Sequence, residues 1–266
     1  MAARKAVRKS IQGGSGRWSR AAIDVHEARI IMSYEALVEE FFEALIEGDR
    51  ALSRGIVERE LANGFGPERM HEELFWPVYE LVDRLFRNDQ LSQLSYNTAT
   101  RLLRMLVDQA SPRLGLDGTG VGEGKSIAAF CGPNEAEELG AQIAIDLLES
   151  HGFSVTFAGG GIASDEIQAH VQNARPDVLL MFCSAAADLP GIRGLIDTLR
   201  DVNACPETQI VVGGGVFNRA EGLAEEIGAD LWASTPLDLV ESIVHDPDQR
   251  ATPEQRTVGR IRRKAA

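Results

Sequence analysis

The spacing of hydrophobic residues divides the chain into two parts. Between Ile30 and Ala110, apolar residues recur every three to four positions, which is the spacing of one buried helix face. Gly48, the pair Gly64 and Gly66, and the turn at 88–89 interrupt this pattern. The pattern therefore predicts helices over about 30–46, 49–63, 67–87 and 92–110. Helices joined by such short links are typical of a four-helix bundle.

After Lys125 the pattern changes to short apolar runs that alternate with amphipathic segments. The apolar runs predict a buried strand at Ser126–Cys131 and further strands at Ser154–Phe157, Asp177–Cys183, Gln209–Val212 and Leu231–Ala233. The segments between and after them predict helices over 135–150, 164–173, 189–202, 219–227 and 236–245. This alternation favours a parallel sheet that is covered on both faces. The predicted fold class is α/β, with a four-helix bundle followed by a five-strand, flavodoxin- or Rossmann-like domain.

Charge is distributed unevenly along the chain, whose net charge is −13. We expect a basic flexible tail at 1–28, the bundle at 29–111, a linker at 112–124, the α/β domain at 125–245 and a basic tail at 246–266. The acidic body is not typical of a general nucleic-acid binder, so any direct contact with DNA would run through the tails. Solvated, mobile ends are the simpler interpretation of the tails.

Neither a membrane nor an oxidising compartment is indicated by the sequence. No apolar run approaches the roughly 18–20 residues of a membrane span, and the N-terminus lacks the apolar core of a secretory signal. The three cysteines are an odd number and widely spaced, which argues against a disulfide framework. We therefore expect a cytoplasmic protein without membrane contact.

Common catalytic motifs are missing. The sequence has no zinc-type spacing of Cys and His and no Gly-x-Ser-x-Gly elbow. The run 118–126 fails the P-loop spacing and precedes a strand instead of following one. The acidic residues Glu135, Glu137 and Glu138 open a predicted helix, where the helix dipole favours acids. We therefore expect no enzyme.

Small residues follow four of the predicted strands. The loops that contain them are 131–140, 158–161, 184–188 and 213–215. Ligands of parallel sheets bind at the carboxyl ends of the strands, and glycine lets a ligand approach the backbone closely. The loops therefore predict a ligand groove, although tight turns alone would also use these glycines.

The order of the motifs resembles the cobalamin (vitamin B12)-binding module of corrinoid methyltransferases and B12-dependent photoreceptor regulators. That family carries Asp-x-His-x-x-Gly after strand one, Ser-x-Leu or Ser-x-Thr after strand three, and Gly-Gly after strand four. The corresponding segments here are 135–140, 184–186 and 213–214. The resemblance implies that the cofactor is held by the following residues: Glu135, Glu137, Gly140, Ser184, Ala186, Gly213 and Gly214.

The ligand histidine of this family is absent from the motif. Glu137 stands where the family's histidine binds cobalt and displaces the nucleotide base of the cofactor. A carboxylate is a hard oxygen donor and replaces imidazole poorly on such a metal. Cys131 and Cys183 end two strands and are alternative donors, because thiolate is a known haem ligand, although buried cysteine is more often core filler. The metal ligand is left open.

The bundle differs from the family in a similar way. Photoreceptor members carry Trp, nine further residues and Glu-His above the corrin ring. The corresponding residues here are Phe86, Tyr96 and Asn97. Phe86 and Tyr96 retain rings that can stack on a flat conjugated ligand, but core packing is an equally good explanation.

These differences resemble a subset of the family without the ligand histidine, which acts as antirepressors or adaptors in light- and redox-responsive gene control. The resemblance implies a non-enzymatic sensor that binds a tetrapyrrole between bundle and α/β domain. The ligand would be cobalamin without histidine ligation, haem or a biliverdin-type bilin, and the partner a transcriptional repressor; homo-oligomerisation is left open. A corrinoid carrier protein of a methyltransferase system and a ligand-free interaction module are the two alternatives.

Overall fold

The computed structural model divides the chain into two compact units, with the boundary between Arg113 and Leu114. It describes residues 25–115, 120–122, 124–132, 135–203, 205–252 and 255–256, with side chains except at 25–33 and 135–137. Most of the predicted N-terminal tail and parts of the linker and C-terminal tail lie outside these ranges. None of the described helices has the length and apolar character needed to cross a membrane.

The N-terminal unit contains the predicted helices. They are α1 (Val25–Glu47), α2 (Arg50–Ala62), α3 (67–87) and α4 (Gln93–Ala110). Asp49 caps α2 by accepting hydrogen bonds from the N–H groups of Ala51 and Leu52, and Ser92 caps α4. The core consists of apolar side chains from all four helices, and its fully buried members include Phe41, Phe42, Leu45, Ile56, Phe75 and Leu103.

Helix α3 is less regular than its apolar spacing predicts. It opens with Pro67–Arg69, widens into a π turn at Met70–Phe75 and continues as Trp76–Arg87. The Trp76 N–H donates to the His71 carbonyl, five residues earlier, instead of the usual four. Pro77 follows at once and has no N–H to offer the preceding turn. The proline and the wide turn therefore accommodate each other.

The C-terminal unit is built on a five-stranded parallel sheet in the order β2-β1-β3-β4-β5. The strands are β1 (Ser126–Cys131), β2 (Ser154–Phe157), β3 (Val178–Phe182), β4 (Gln209–Gly213) and β5 (Leu231–Ala233). This is the flavodoxin-like order, in which the direction of strand addition reverses between β1 and β3. The predicted α/β fold class is confirmed, and the bounds of β3 and β4 shift by one residue.

Helices cover both faces of this sheet. They are α5 (Glu135–Ser150), α6 (Ser164–Ala174), α7 (Leu189–Val202), α8 (Gly215–Arg219), α9 (Leu223–Ile227) and α10 (Pro236–His245). One buried cluster joins the sheet to α6, α7, α8 and α9, and the other joins it to α5 and α10. The single helix predicted over 219–227 is wrong. The chain leaves the helical conformation at Ala220 and Gly222 has a φ of 79°, so two short helices form instead.

The amino edge of the sheet is closed by side chains that bridge distant segments. Asp177, just before β3, accepts hydrogen bonds from the backbone N–H and hydroxyl of Ser126, both at 2.7 Å. Gln209 donates to the carbonyl of Asp246 at 2.7 Å, which fixes the start of the C-terminal segment beneath the sheet. Residues 246–252 are therefore attached to the α/β unit.

Candidate functional site

The candidate site lies at the carboxyl edge of the sheet, where backbone hydrogen bonds hold neighbouring loops together. The Cys131 N–H donates to the Gly159 carbonyl at 2.8 Å, and the Gly132 N–H donates to the Phe182 carbonyl at 3.0 Å. The Cys183 N–H donates to the Gly213 carbonyl at 2.9 Å. These bonds continue the sheet pairing beyond the strand ends, so the loops after β1, β2, β3 and β4 form one preorganised edge.

The loops after β1 and β2 meet at Gly160. A Cβ atom on Gly160 would lie only 2.0 Å from the carbonyl oxygen of Gly132. The Gly160 N–H donates to Oε1 of Glu138 at 3.0 Å, which ties this loop to α5. Glycine is therefore required here by the close approach of two backbones, and Glu138 fixes that approach.

The loops after β3 and β4 meet at Gly214. Its φ is 107°, which glycine adopts without strain, and a Cβ atom would lie 2.3 Å from the carbonyl oxygen of Cys183. Gly213 is less restricted, since its Cβ atom would make ordinary contact with the ring of Phe182 at 3.5 Å. The glycine pair therefore lets the two loops pack directly against each other.

A guanidinium group lies over this junction. Arg219, at the end of α8, donates from Nη2 to the carbonyl oxygen of Ser184 at 2.6 Å. A Cβ atom on Gly215 would lie 2.7 Å from Nη1 of the same guanidinium. Asn218 donates to the carbonyl of Ser234 at 2.9 Å and so connects α8 to the loop after β5. The carboxyl edge thus presents small residues, a hydroxyl and one cation.

The structure describes the surroundings of five of the predicted α/β-domain residues. Ser184 and Ala186 follow β3, with Ser184 half-buried and Ala186 exposed, while Gly213 ends β4 and Gly214 follows it. Gly140 is buried within α5. The side chains of the other two predicted residues, at 135 and 137, lie outside the described residues, although their backbone forms the first turn of α5.

The predicted bundle residues differ in their contacts and in their exposure to solvent. The rings of Phe86 and Tyr96 stack on each other, with centroids 4.1 Å apart and planes inclined by 20°. Tyr96 is buried, at 8% exposure. Asn97 is exposed and accepts a hydrogen bond from Gln93 at 2.8 Å. Stacking on a ligand stays a prediction for these rings, each of which has an aromatic partner within the bundle.

Potential metal ligands do not cluster in the described part of the chain. No group of three or more His, Cys, Asp or Glu side chains there could hold a metal ion. The Cys183 thiol is buried and donates to the Ala185 carbonyl at 3.1 Å. His151 hydrogen bonds to the Leu147 carbonyl through Nδ1, and His71 to the Pro67 carbonyl. Each of these hydrogen bonds joins a side chain to a backbone carbonyl within four residues along the chain. They identify no ligand for a metal in a bound cofactor.

Glu138 and Arg219 hold the loops of the carboxyl edge in place, and the sequence pattern does not reveal this role. Glu138 belongs to an acidic run that the helix dipole alone explains. Arg219 was expected to begin the helix predicted over 219–227, but it is the last residue of α8. The available signal was the excess of glycine in the loops, which implies that other groups must pack closely against them. Which polar side chains do so depends on the crossing of the loops.

Together, the sheet order and the glycine-lined carboxyl edge define a flavodoxin-like α/β domain. Residues 125–241 match the family described as B12 binding domain. The matched segment lies within the α/β unit, and the predicted resemblance to the B12-binding domain family is confirmed at this level.

Two relatives are similar over most of the chain. The corrinoid protein DSY3155 of Desulfitobacterium hafniense (strain Y51) is 21% identical over 207 residues, which is 77% of this chain and 95% of the relative. The solved structure of the Methanosarcina barkeri monomethylamine corrinoid protein superimposes with a TM-score of 0.68 at 14% identity. The match covers 79% of this chain and 98% of that one, which shows a shared fold.

These relatives overturn the sensor hypothesis. A relative that is matched over 95% of its length is named a corrinoid protein, which supports the alternative of a corrinoid carrier and not the regulatory assignment. The prediction of a light- or redox-responsive tetrapyrrole sensor with a transcriptional repressor as partner is therefore wrong. The comparisons likewise give no support to haem or a bilin. The sensor prediction gave too much weight to the substitutions at Glu137 and in the bundle, and too little to the order of the loop motifs along the chain.

Proposed function

We propose that the chain is a corrinoid-binding carrier protein, which presents a methyl group to separate methyltransferases and is not itself an enzyme. The observation that carries this proposal is the match of residues 125–241 to the B12 binding domain, because that segment contains the whole glycine-lined edge. The free cysteines suit a reducing compartment, so we place the protein in the cytoplasm.

The residues at the carboxyl edge fit a large, flat cofactor with an extended tail. Gly160 and Gly214 allow neighbouring loops to pack so closely that no side chain protrudes from either position. Ser184 supplies a hydroxyl beside this surface, and Arg219 supplies a cation that interacts with its carbonyl. Hydrogen-bonding groups on a surface of small residues are suited to a ligand that carries amide and phosphate groups.

In this proposal the chain's own residues bind and orient the cofactor. The loops after β3 and β4 hold the tail, with Ser184 as hydrogen-bond partner and Gly214 keeping the surface clear. Glu138 keeps the loop after β2 in place by accepting from Gly160. A bound corrinoid would supply the cobalt that accepts and releases the methyl group. Because no histidine stands at the family's ligand position, this chain offers no imidazole there to displace the nucleotide base of the cofactor.

Cofactor binding tests the proposal directly. The purified full-length protein is incubated with hydroxocobalamin or methylcobalamin and passed through a desalting column, and bound corrinoid is measured by absorbance. We expect about one corrinoid per chain, retained with the spectrum of the base-on form. Haem and biliverdin serve as comparison ligands and should pass through unbound. Loss of all corrinoid on the column would refute the carrier assignment and favour the ligand-free interaction module.

Cofactor retention must also depend on the loops. Ser184→Trp places a bulky side chain beside the proposed tail surface and should abolish retention. Gly194→Ala is the matched control, because a Cβ atom there meets no heavy atom within 4 Å. Equal retention by both variants would place the cofactor elsewhere. Circular dichroism of each variant shows whether the fold is kept.

A further inference from the structure

A concave site lies at the opposite edge of the sheet from the glycine loops. Pro176, Thr208 and Asp230 precede strands β3, β4 and β5, and therefore mark the amino edge. A cavity of about 210 Å³ is formed here by α6, the end of α7, the segment before β4 and residues 250–251. All its lining residues belong to the α/β unit, and none lies on the loops of the carboxyl edge.

The one acidic group of the cavity is already compensated. Asp230 is only 4% exposed and accepts a hydrogen bond from Arg200 at 2.8 Å. Its carboxylate also accepts from the backbone N–H groups of Ile210 and Ala251, each at 2.7 Å. A buried carboxylate with three donors has little remaining tendency to attract a cation or to repel an anion.

The cationic side of the cavity is in excess. Arg200 and Arg250 both line it, against the single carboxylate of Asp230. Arg250 donates only to backbone carbonyls, those of Glu207, Pro247 and Gln249, so no carboxylate of the described residues balances its charge. The nearby Arg256 is paired with Asp197. The residues that line the cavity therefore carry a net charge of one positive unit, from two arginines and one aspartate, in a chain whose net charge is −13.

Arg200 also has hydrogen-bonding capacity left. Among the described residues, the only hydrogen bond of the Arg200 side chain is the one from Nη2 to Asp230, although a guanidinium carries five N–H donors. Desolvation by burial is the largest influence on the pKa of Arg200 and lowers it. A further anionic partner would offset that desolvation, and a guanidinium suits the planar geometry of a carboxylate or phosphate.

The remaining walls are partly apolar, with Asn203, Cys205 and Thr208 as their polar members. Val171, Leu199, Pro206 and Ile210 line the cavity beside the two arginines. Its volume lies below the roughly 300–1,000 Å³ that is typical of sites for drug-sized ligands. We propose that this cavity binds a small organic anion, in which one carboxylate or phosphate is attached to a compact apolar group. The anionic group would contact Arg200 and Arg250, and the apolar group would lie against Leu199 and Ile210.

Titration calorimetry of the full-length protein without corrinoid tests this inference. The probes are phenyl phosphate and benzoate, with benzyl alcohol as the neutral comparison. We expect saturable binding of at least one anion at one site per chain and binding at least tenfold weaker for benzyl alcohol. Arg200→Gln should weaken anion binding at least tenfold. Arg193→Gln should leave it unchanged, because Arg193 interacts with Asp197 and Glu226 and does not line the cavity. Failure of both anions to bind, or equal affinity of Arg200→Gln, would overturn the inference.

A measurement on the unmodified chain avoids any effect of Arg200→Gln on folding. Cys205 lines the cavity, whereas Cys131 ends β1 at the other edge of the sheet. Saturating phenyl phosphate should slow the alkylation of Cys205 by iodoacetamide at least threefold and leave Cys131 unaffected, as followed by peptide mass spectrometry. An unchanged rate at Cys205 would contradict the inference. Neither result depends on corrinoid binding, so the carrier proposal stands or falls separately.

Discussion

Phe86, near the end of α3, stacks on Tyr96 in the first turns of α4, with ring centroids 4.1 Å apart. The stack connects two consecutive helices across a short turn, in which Asp89 has a φ of 55°. Aromatic pairs contribute about 0.5–1.5 kcal/mol beyond the area that they bury. The pair is therefore part of the structure of the bundle, whatever further contact either ring makes.

Replacing both rings tests this structural role. In a double-mutant cycle of Phe86→Leu and Tyr96→Leu, we expect a coupling free energy of about 0.5–1.5 kcal/mol, measured by urea unfolding. Tyr96→Phe is the control, because it keeps the stacked ring and removes only the hydroxyl. Strictly additive effects of the two leucine substitutions would show that the stack does not contribute to stability.

Gly160→Ala tests the packing of the carboxyl edge. The new methyl group would lie 2.0 Å from the Gly132 carbonyl, so one of the two loops must move. Overpacking of this kind costs about 1–3 kcal/mol. We expect a lower free energy of unfolding in urea, together with weaker corrinoid retention. Gly194→Ala, within α7, should instead be neutral or slightly stabilising. Wild-type stability and retention in Gly160→Ala would show that the loops are not held together as described.

Glu137→His tests the meaning of the missing imidazole. This substitution restores the histidine of the family pattern at its position in the 135–140 motif. If imidazole is the only missing element, bound cobalamin should change from the base-on to the base-off spectrum. Glu137→Gln is the control and should keep the base-on spectrum, since an amide is as poor a cobalt ligand as a carboxylate. A base-off spectrum in the wild type would show that another group displaces the nucleotide base.

Asp177 should make stability depend on pH. Hydrogen bonds from the backbone N–H and then the hydroxyl of Ser126 hold the pKa of this carboxyl below its usual value. Because the pKa is lower in the folded state, the stabilisation is complete above the unfolded pKa of roughly 3.9 and is lost as the pH falls through the folded pKa. Asp177→Asn should cost about 1 kcal/mol at pH 7, because the group is exposed and its interactions are screened.

Thermal unfolding at pH 7 and at pH 3 gives the readout for Asp177→Asn. The melting temperature of Asp177→Asn should lie below that of the wild type at pH 7, and this difference should be smaller at pH 3. The exposed Asp248 supplies the control substitution, Asp248→Asn, which removes a carboxylate and leaves the hydrogen bonds between Asp177 and Ser126 in place. An equal difference in melting temperature at both pH values would contradict a stabilising role for the ionised Asp177 carboxylate.

The centre of the sheet was predictable because strands β3 and β4 are wholly buried, whereas β2 has no fully buried residue. All five residues of Val178–Phe182 are buried, as are those of β4, and such strands appear in the sequence as short, unbroken apolar runs. The helices on either side of the sheet are indicated by apolar residues that recur every three to four positions. The sequence pattern fails at 219–227, where Leu223 and Ile227 keep a helical spacing although Gly222 adopts a positive φ.

The site was only partly predictable for a different reason. Parallel strands necessarily bring their following loops to one edge, so the topology alone placed Ser184 and Gly214 together. The bonds between Glu138 and Gly160 and between Arg219 and Ser184 join residues 22 and 35 positions apart. They depend on how particular loops cross, which no local pattern encodes. The sensor prediction was wrong because substitutions at a few positions of a motif say little about which ligand the remaining loops accept.

The wide turn in α3 has a consequence for how this helix tolerates changes in length. Each hydrogen bond of the Met70–Phe75 turn spans one more residue than a regular helical bond, so the turn stores the equivalent of one inserted residue. Deleting one residue there would let an ordinary α-helical turn form while the flanking faces keep their orientation. The same deletion within Val78–Leu85 would rotate the following face by about 100° and turn its apolar side chains out of the core.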